Sequence, residues 1–258
     1  MKKFLLISLF LSCFIQPLLA AHVRGGEMYY RWDSANSTAT VARYIVTLKL
    51  YIDCNSQPGQ LDPDEPFTVF DRSNNSQYLN RRVPLISDSY IRYDPNSNPC
   101  ITNAPTDVCY RLRYYETTID LPISASGYTI AFQRCCRIQD IQNMPGRSND
   151  YGATYMCDIP GTVTGVNRPA YRNSSPLFNP NDAVAICYGS PFTFDFSAND
   201  PDGDSIVYRL CNAYNGGGPG SSSNNCLTCA QPDPAGPHPI APFHTGRPTM
   251  AVRPWGSM

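Results

Sequence analysis

The sequence has little charge and few residues suited to catalysis. Charged residues make up 16% of its 258 positions, with three histidines and two tryptophans. The net charge of −1 indicates neither a basic nucleic-acid surface nor an acidic tail. Three histidines so placed offer no credible Ser–His–Asp or Cys–His arrangement. We therefore expect a protein that is not an enzyme and does not bind nucleic acid.

Helical periodicity is missing as well. No window of useful length shows the apolar spacing of a helix, and 24 prolines are spread along the chain. Apolar and polar residues instead alternate in short runs separated by turn residues. These runs are Met28–Trp32, Tyr44–Ile52, Tyr110–Tyr114, Gly127–Arg134, Pro191–Ser197 and Ser205–Leu210. The pattern predicts an all-β protein with sheets packed face to face, a sandwich.

Long apolar runs are confined to the N-terminus. Lys2 and Lys3 precede the apolar run Phe4–Phe14, and Ala20 offers a small residue for cleavage. Residues 1–20 are therefore predicted to be a signal peptide, and the mature protein to be secreted, extracellular or on the outer cell surface. Because no later apolar run is long enough to cross a membrane, we expect no transmembrane segment after cleavage.

Cysteine is plentiful, which agrees with export to an oxidising compartment. Ten cysteines follow the leader, and an even count in an exported chain predicts a disulfide framework of up to five bridges. They are Cys54, Cys100, Cys109, Cys135, Cys136, Cys157, Cys187, Cys211, Cys226 and Cys229. Many pairings are possible, so connectivity stays open.

Spacing nevertheless favours some partners over others. Cys135 and Cys136 are neighbours on a predicted strand and face opposite ways, so each needs a separate partner. Cys226 and Cys229 form a CxxC pair with no βαβ context for a redox site and no second CxxC for zinc, which favours a local disulfide. We further expect Cys100 to pair with Cys109 and Cys187 to pair with Cys211. Cys54 and Cys157 then remain as the partners of Cys135 and Cys136.

The distribution of strands and turns divides the chain. We predict an N-terminal β domain over residues 21–160, a linker over 161–175 and a partial β domain over 176–235. The linker has few apolar anchors, and the second block holds only two good strands where a complete sandwich needs about seven. Residues 236–258 show no alternation and are predicted to be an irregular tail.

Six short motifs together resemble a known family. They are HVRGGEMYY at 22–30, YIDCN at 51–55, AFQRCCR at 131–137, YGATY at 151–155, SPLF at 175–178 and DPDGDS at 200–205. In this order and spacing they are similar to the N-terminal region of gliding-motility-associated bacterial proteins, large secreted cell-surface proteins with PKD- or Ig-like domains. The resemblance covers about residues 21–235.

The resemblance implies an Ig- or PKD-like sandwich followed by an incomplete Ig- or cadherin-like domain. It implies a structural or adhesive role at the cell surface, with other surface proteins or polysaccharide as partners, and it names no catalytic residue. Members of the family are typically exported by type IX secretion and end in a C-terminal sorting domain. We recognise no such domain in residues 236–258, so we expect a truncated or altered end and leave type IX export open.

Three carboxylates suggest the one cofactor we expect, calcium. Asp200, Asp202 and Asp204 lie on alternate residues around Gly203, and hard cations prefer such oxygen ligands. The segment is similar to the calcium loops of cadherin-like domains, with Asp195 and Asn199 as the nearest further ligands. The alternative is a solvated turn, because Asp, Pro and Gly are turn residues in their own right.

Two rival functions remain. After cleavage His22 becomes N-terminal or nearly so, and an N-terminal histidine can bind copper, but its partners would have to be His238 and His244 in the tail. The broader alternative is a carbohydrate-active enzyme or carbohydrate-binding module, because sequence spacing does not reveal paired carboxylates. An exposed row of aromatic side chains, or a cleft with two facing carboxylates, would favour it.

Overall fold

The computed structural model describes residues 23–56, 61–94, 109–134, 137–138, 152–162, 169–179, 193, 195–211 and 251–257. The predicted signal peptide and six of the ten cysteines lie outside these residues. No α-helix occurs in the described part, whose helical structure is limited to two single 3-10 turns, Ser34–Asn36 and Ala170–Arg172. None of the described segments is therefore a helix long and apolar enough to span a membrane.

The chain is all-β, as the alternation predicts. Eleven strands are described: β1 Val23–Trp32, β2 Val41–Asp53, β3 Asp64–Asp71, β4 Ser76–Arg92, β5 Cys109–Pro122, β6 Tyr128–Arg134, β7 Ala153–Ile159, β8 Leu177–Phe178, β9 Ala198–Asn199, β10 Ser205–Cys211 and β11 Ala251–Ser257. The first seven form one antiparallel sheet in the order β1-β2-β5-β4-β3-β6-β7.

Strand β4 is shared between two halves of this sheet. Its first part, up to Pro84, pairs with β3, and its last part, Leu85–Arg92, pairs with β5. Beyond Tyr115, β5 pairs only with β2. Strands β4 and β5 therefore diverge there and leave a seam between the two halves of the sheet. Arg81 spans that seam, because its Nη1 donates to the Thr118 carbonyl oxygen at 2.7 Å.

Both halves of the sheet contribute to one apolar core. Its largest fully buried members include Tyr44 of β2, Tyr115 of β5, Phe67 of β3 and Phe132 of β6. The inward face predicted for Tyr44–Ile52 is confirmed, since Tyr44, Val46, Leu48, Leu50 and Ile52 are each at most 2% exposed. On the other face of the strand, Thr47 and Lys49 are buried as well. Burial of these side chains is the main force that holds the sheet around its core.

Strand β6 departs from simple alternation. Its sequence alternates Tyr128, Ile130 and Phe132 with Thr129, Ala131 and Gln133, but all seven residues of β6 are buried. Burial is tolerated where the polar group has a partner, and Thr129 Oγ1 donates to Asp158 Oδ1 at 2.6 Å. A strand covered on both faces cannot be told from a half-exposed one by periodicity alone.

The two ends of the seven-stranded sheet meet. Strand β1 contacts β7, and Val23 forms a parallel bridge with Arg137. Gly26 marks the close approach: a Cβ atom there would lie 3.1 Å from Tyr155 Cζ and 2.8 Å from Leu50 Cδ2. The sheet therefore curves far enough to bring its first and last strands into contact.

The later strands form two small sheets. Strands β8 and β9 pair with each other, and β10 pairs with β11. Part of the tail predicted to be irregular, Ala251–Ser257, is thus a strand. Main-chain pairing with β10 requires no alternation of side chains, so the pattern could not reveal it. The strand predicted at Pro191–Ser197 lies partly outside the described residues; its described end leads into β9.

The predicted linker is partly packed structure. Its residues 163–168 lie outside the described part, but the turn Ala170–Arg172 buries Ala170, and Ser174 is also buried. Tyr44 Oη donates to the Tyr171 carbonyl oxygen at 2.6 Å, which fixes this turn on the core. The position of a domain boundary in this region stays a prediction.

Candidate functional site

Strand β1 joins most of the family-like motifs to one another. Arg24 donates to Asp53 Oδ2 from Nη2 at 2.7 Å and from Nε at 3.2 Å, which links HVRGGEMYY to YIDCN. Three position pairs further along the β1–β2 ladder, Glu27 faces Lys49, with 3.3 Å between Oε1 and Nζ. The charged residues of these motifs are therefore engaged within the sheet.

The same strand also holds the motifs that come later in the chain. Arg137 of AFQRCCR pairs with Val23, and its Nε donates to the Gly152 carbonyl oxygen of YGATY at 2.9 Å. Ser175, the first residue of SPLF, exchanges two hydrogen bonds with the Tyr30 backbone: Tyr30 N donates to Ser175 Oγ at 3.1 Å and Ser175 N donates to Tyr30 O at 2.8 Å. Five motifs thus meet along β1.

The sixth motif, DPDGDS, attaches through its aspartates. Asp202 Oδ2 accepts a hydrogen bond from Ser174 N at 2.5 Å, while Ser174 Oγ accepts one from Trp32 N at 3.2 Å. Asp200 Oδ1 accepts from the backbone N–H groups of Asp202 at 2.8 Å and Asp204 at 3.3 Å. This is an Asx-type turn, and Gly203 at φ +78° supplies its left-handed position.

The geometry of these aspartates therefore matches the turn alternative. No group of three or more His, Cys, Asp or Glu side chains in the described part of the chain is arranged to hold a metal ion. Asp195, offered as a further ligand, accepts a hydrogen bond from Ser197 N at 2.8 Å, and this bond lowers the pKa of its carboxyl group. Calcium binding by Asp200, Asp202 and Asp204 stays a prediction.

The described residues contain one disulfide, and its partners differ from those expected. Cys54 bonds Cys109, with 5.7 Å between their Cα atoms, whereas the sequence favoured Cys100 for Cys109 and Cys135 or Cys136 for Cys54. The β2–β5 ladder explains the change, because it runs to Asp53 opposite Tyr110 and so brings the next residues together. Cys157 is buried opposite Ile130. The side chains of the other expected partners lie outside the described part: Cys100, Cys135, Cys136, Cys187, Cys211, Cys226 and Cys229.

An ionic cluster that the sequence did not reveal lies where β3 begins and β6 ends. Arg134 Nη1 donates to Asp62 Oδ2 and, at 2.9 Å, to Glu65 Oε1. The side chains of Glu65 and Arg134 are only 3% and 8% exposed. Tyr115 Oη donates to the Asp62 carbonyl oxygen at 3.0 Å, which holds this part of the cluster against β5.

The cluster continues across β4 and β5. Arg111 binds Asp88 through two bonds, from Nε at 2.9 Å and from Nη2 at 2.6 Å. Arg113, with 5% of its side chain exposed, places Nε 3.2 Å from Asp88 Oδ2. We call Asp62, Glu65, Asp88, Arg111, Arg113 and Arg134 the ionic cluster. It contains three guanidinium groups and three carboxyl groups.

Burial dominates the chemistry of Glu65. Desolvation raises the pKa of its carboxyl group to about 7, although the guanidinium of Arg134 opposes the shift. Perturbed carboxyl groups occur in active sites, but structural ion-pair networks perturb them too. The sequence holds a weak signal that Glu65 is buried. Glu65, Phe67 and Val69 are alternate residues of β3 and so lie on the same face of the strand, where an apolar residue is expected.

The features that would favour a carbohydrate site are weak in the described part. Tyr78 and Tyr90 are about half exposed, but they stand twelve positions apart on β4. Tyr90 is accompanied by Arg111 and Arg92, whose Cζ atoms lie 4.8 Å and 5.5 Å from its ring centre. These tyrosines do not form a row. His22, His238 and His244, the residues of the copper alternative, lie outside the described residues.

Comparison of the chain with models of protein families, with curated proteins and with solved structures finds no match.

Proposed function

We propose that this chain is an exported, non-catalytic structural or adhesive protein of the bacterial cell surface, related to the gliding-motility-associated proteins. In this proposal the seven-stranded sheet is an Ig- or PKD-like sandwich in which β4 passes from one layer to the other. The later strands then belong to an incomplete Ig- or cadherin-like unit. The partners are other surface proteins or polysaccharide.

The observation that carries the proposal is how the motif residues are used. Arg24 pairs with Asp53, and Glu27 pairs with Lys49. Ser175 accepts a hydrogen bond from the backbone of β1 at Tyr30. The charged side chains that a catalytic site would direct at a substrate here join neighbouring strands instead. Such a protein presents a stiff β scaffold, whose loops and faces are then free to contact partners.

The carbohydrate-active alternative has one feature in its favour, the raised pKa of Glu65 beside a second carboxylate at Asp62. Glycoside hydrolases separate the roles of two carboxyl groups in this way. Against it, Glu65 has 3% of its side chain exposed and shares one guanidinium nitrogen with Asp62, so no sugar ring fits between the two groups. We therefore rank this function second.

Surface labelling of cells that produce the protein tests the proposal. Antibodies against the described sheet should label intact, unpermeabilised cells, and deletion of the gene should reduce attachment to a surface or to other cells. A copy lacking residues 1–20 is the matched control, because it should restore neither labelling nor attachment. Labelling only after permeabilisation, or attachment that deletion leaves unchanged, would refute the proposal.

The enzymatic alternative has its own assay. The purified protein should release no reducing sugar from a panel of neutral and acidic polysaccharides. Release that disappears in the Glu65→Gln variant, but persists when the exposed Glu116 is replaced by Gln, would establish the alternative instead.

A further inference from the structure

The ionic cluster ties four strands together at one end of the core. Asp62 precedes β3 and Glu65 is its second residue, Arg134 ends β6, Arg111 and Arg113 lie in the first half of β5, and Asp88 lies in the last part of β4. Both halves of the seven-stranded sheet therefore contribute to it. Its ion pairs form two groups, Arg111–Asp88–Arg113 on β4 and β5 and Asp62–Arg134–Glu65 at β3 and β6, and the charge of Arg113 acts on Glu65 across the space between them.

Glu65 is the least exposed member of the ionic cluster, with 3% of its side chain exposed. Charged and titratable groups face it from every neighbouring element: Asp62 precedes β3, Arg134 comes from β6, Arg113 and Tyr115 from β5, and Arg82 from β4. Of these groups, Arg134 donates to Glu65 Oε1. The second oxygen, Oε2, is buried and has no hydrogen-bond partner in the described part of the chain.

The cluster is incompletely satisfied in its ionised form. The Nε atoms of Arg113 and Arg134 are also buried without a well-aligned acceptor in the described residues. An ionised carboxylate with one bare oxygen pays a large desolvation penalty, whereas a neutral carboxyl group in the same place does not. Arg134 keeps a carboxylate partner in Asp62 when Glu65 is neutral, so a proton on Glu65 does not leave that guanidinium unpaired.

We propose that the ionic cluster is a proton-operated clamp, which holds the start of β3 and the end of β6 to β4 and β5 most firmly when Glu65 is protonated and loosens when the proton leaves. The clamp acts within the fold and does not depend on the surface role proposed above. It makes this end of the sheet responsive to the acidity of the surrounding medium.

The sign of the effect follows from proton linkage. The pKa of Glu65 is raised from 4.5 to about 7 on folding, so the stabilisation is fully present below pH 4.5 and is lost as the pH rises through 7. The carboxyl groups of Asp71 and Asp120 have pKa values lowered by hydrogen bonds from Ser73 and Arg43. Their contributions are lost on acidification below their usual range, so the two windows do not overlap.

Unfolding of the full mature protein at several pH values tests the clamp. Between pH 5 and pH 8 the unfolding equilibrium constant should rise by about tenfold to a hundredfold more in the wild type than in Glu65→Gln, which mimics the protonated group. The matched control Glu116→Gln, at an exposed position on β5, should follow the wild type. Parallel curves for the wild type and Glu65→Gln would overturn the proposal.

Two measurements on the wild type keep the test decisive if the variant fails to fold. The ¹³C resonance of the Glu65 carboxyl group should titrate with a midpoint near 7; a midpoint below about 5 would overturn the proposal. Amide hydrogen exchange should quicken with pH at Gln133 and Arg134 relative to Thr129, at the far end of the same strand. An unchanged ratio between the two ends of β6 would contradict the loosening.

Discussion

Gly26 is the residue at which the sheet closes on itself. A Cβ atom at this position would lie 2.8 Å from both Leu50 Cδ2 and the Lys49 carbonyl oxygen, and 3.1 Å from Tyr155 Cζ. The carbonyl belongs to the β1–β2 ladder and cannot move without disturbing that ladder. Glycine is needed here because of space and not because of backbone conformation, since the φ angle of Gly26 is not positive.

The Gly26→Ala variant should therefore be destabilised by about 1–3 kcal/mol, because β1 must shift away from β2 or β7. Gly25→Ala is the matched control: its Cβ would meet Tyr51 Cδ2 at an ordinary 3.7 Å, and the loss of backbone freedom in the unfolded chain should leave it neutral or slightly stabilised. Urea denaturation measures both. Equal midpoints for the two variants would contradict the close approach.

At the scale of elements, β1 depends on a segment far along the chain. Tyr30 and Trp32 would have unpaired backbone groups on their outer edge if residues 174–175 did not cover them. A strand edge left open is a site of fraying and unwanted pairing. The segment predicted to be a linker therefore completes the first sheet.

A fragment of residues 21–162 should fold but be less stable than one of residues 21–179, by about 1–3 kcal/mol, because it loses three hydrogen bonds to β1. The longer fragment carrying Ser174→Ala and Ser175→Ala should lose a part of that difference. Thermal or urea unfolding of the three proteins measures it. Identical stability of the two fragments would show that the contacts on β1 contribute nothing.

The elements differ in how well the sequence predicts them. Strand β2 was predictable because its five inward residues are apolar in strict alternation and all enter the core. Strand β4 gives no such pattern, since Val83 is its one fully buried residue and bulges leave Tyr78 and Ile86 exposed. Which strand pairs with which depends on contacts between distant residues, and alternation carries no information about them.

The candidate site shows the same limit. The motifs identified Arg24, Asp53 and Arg134 as noteworthy, but not that the first two pair with each other or that Arg134 meets Glu65. Glu65 lies in a run of acidic residues and prolines, DPDEP at 62–66, that is typical of a turn. Its role becomes visible only when β3, β5 and β6 are brought together, because burial is a property of the folded chain.

At the scale of the whole molecule, the disulfide between Cys54 and Cys109 closes a loop that contains β3 and β4. It fastens β2 to β5 at the end where the ionic cluster lies. A bridge across a sequence separation of 55 residues restricts the unfolded chain, so most of its effect is on that state.

The variant with Cys54→Ala and Cys109→Ala should lose about 2–4 kcal/mol of stability, measured by urea denaturation under oxidising conditions. Ser89→Ala, at an exposed position of β4, serves as the control and should change stability little. A double variant as stable as the wild type would mean that the bridge restrains nothing in the unfolded chain.

The same covalent loop changes how the protein would respond to mechanical load. A pulling force applied at the chain ends passes through the sulfur–sulfur bond and bypasses every residue between the two cysteines. About 190 Å of contour length, at about 3.5 Å per residue over the 55-residue separation, is withheld from extension while the bridge is intact. Strands β3 and β4 would therefore remain unloaded even when the rest of the sheet is drawn out, and the sheet could re-form around them once tension falls.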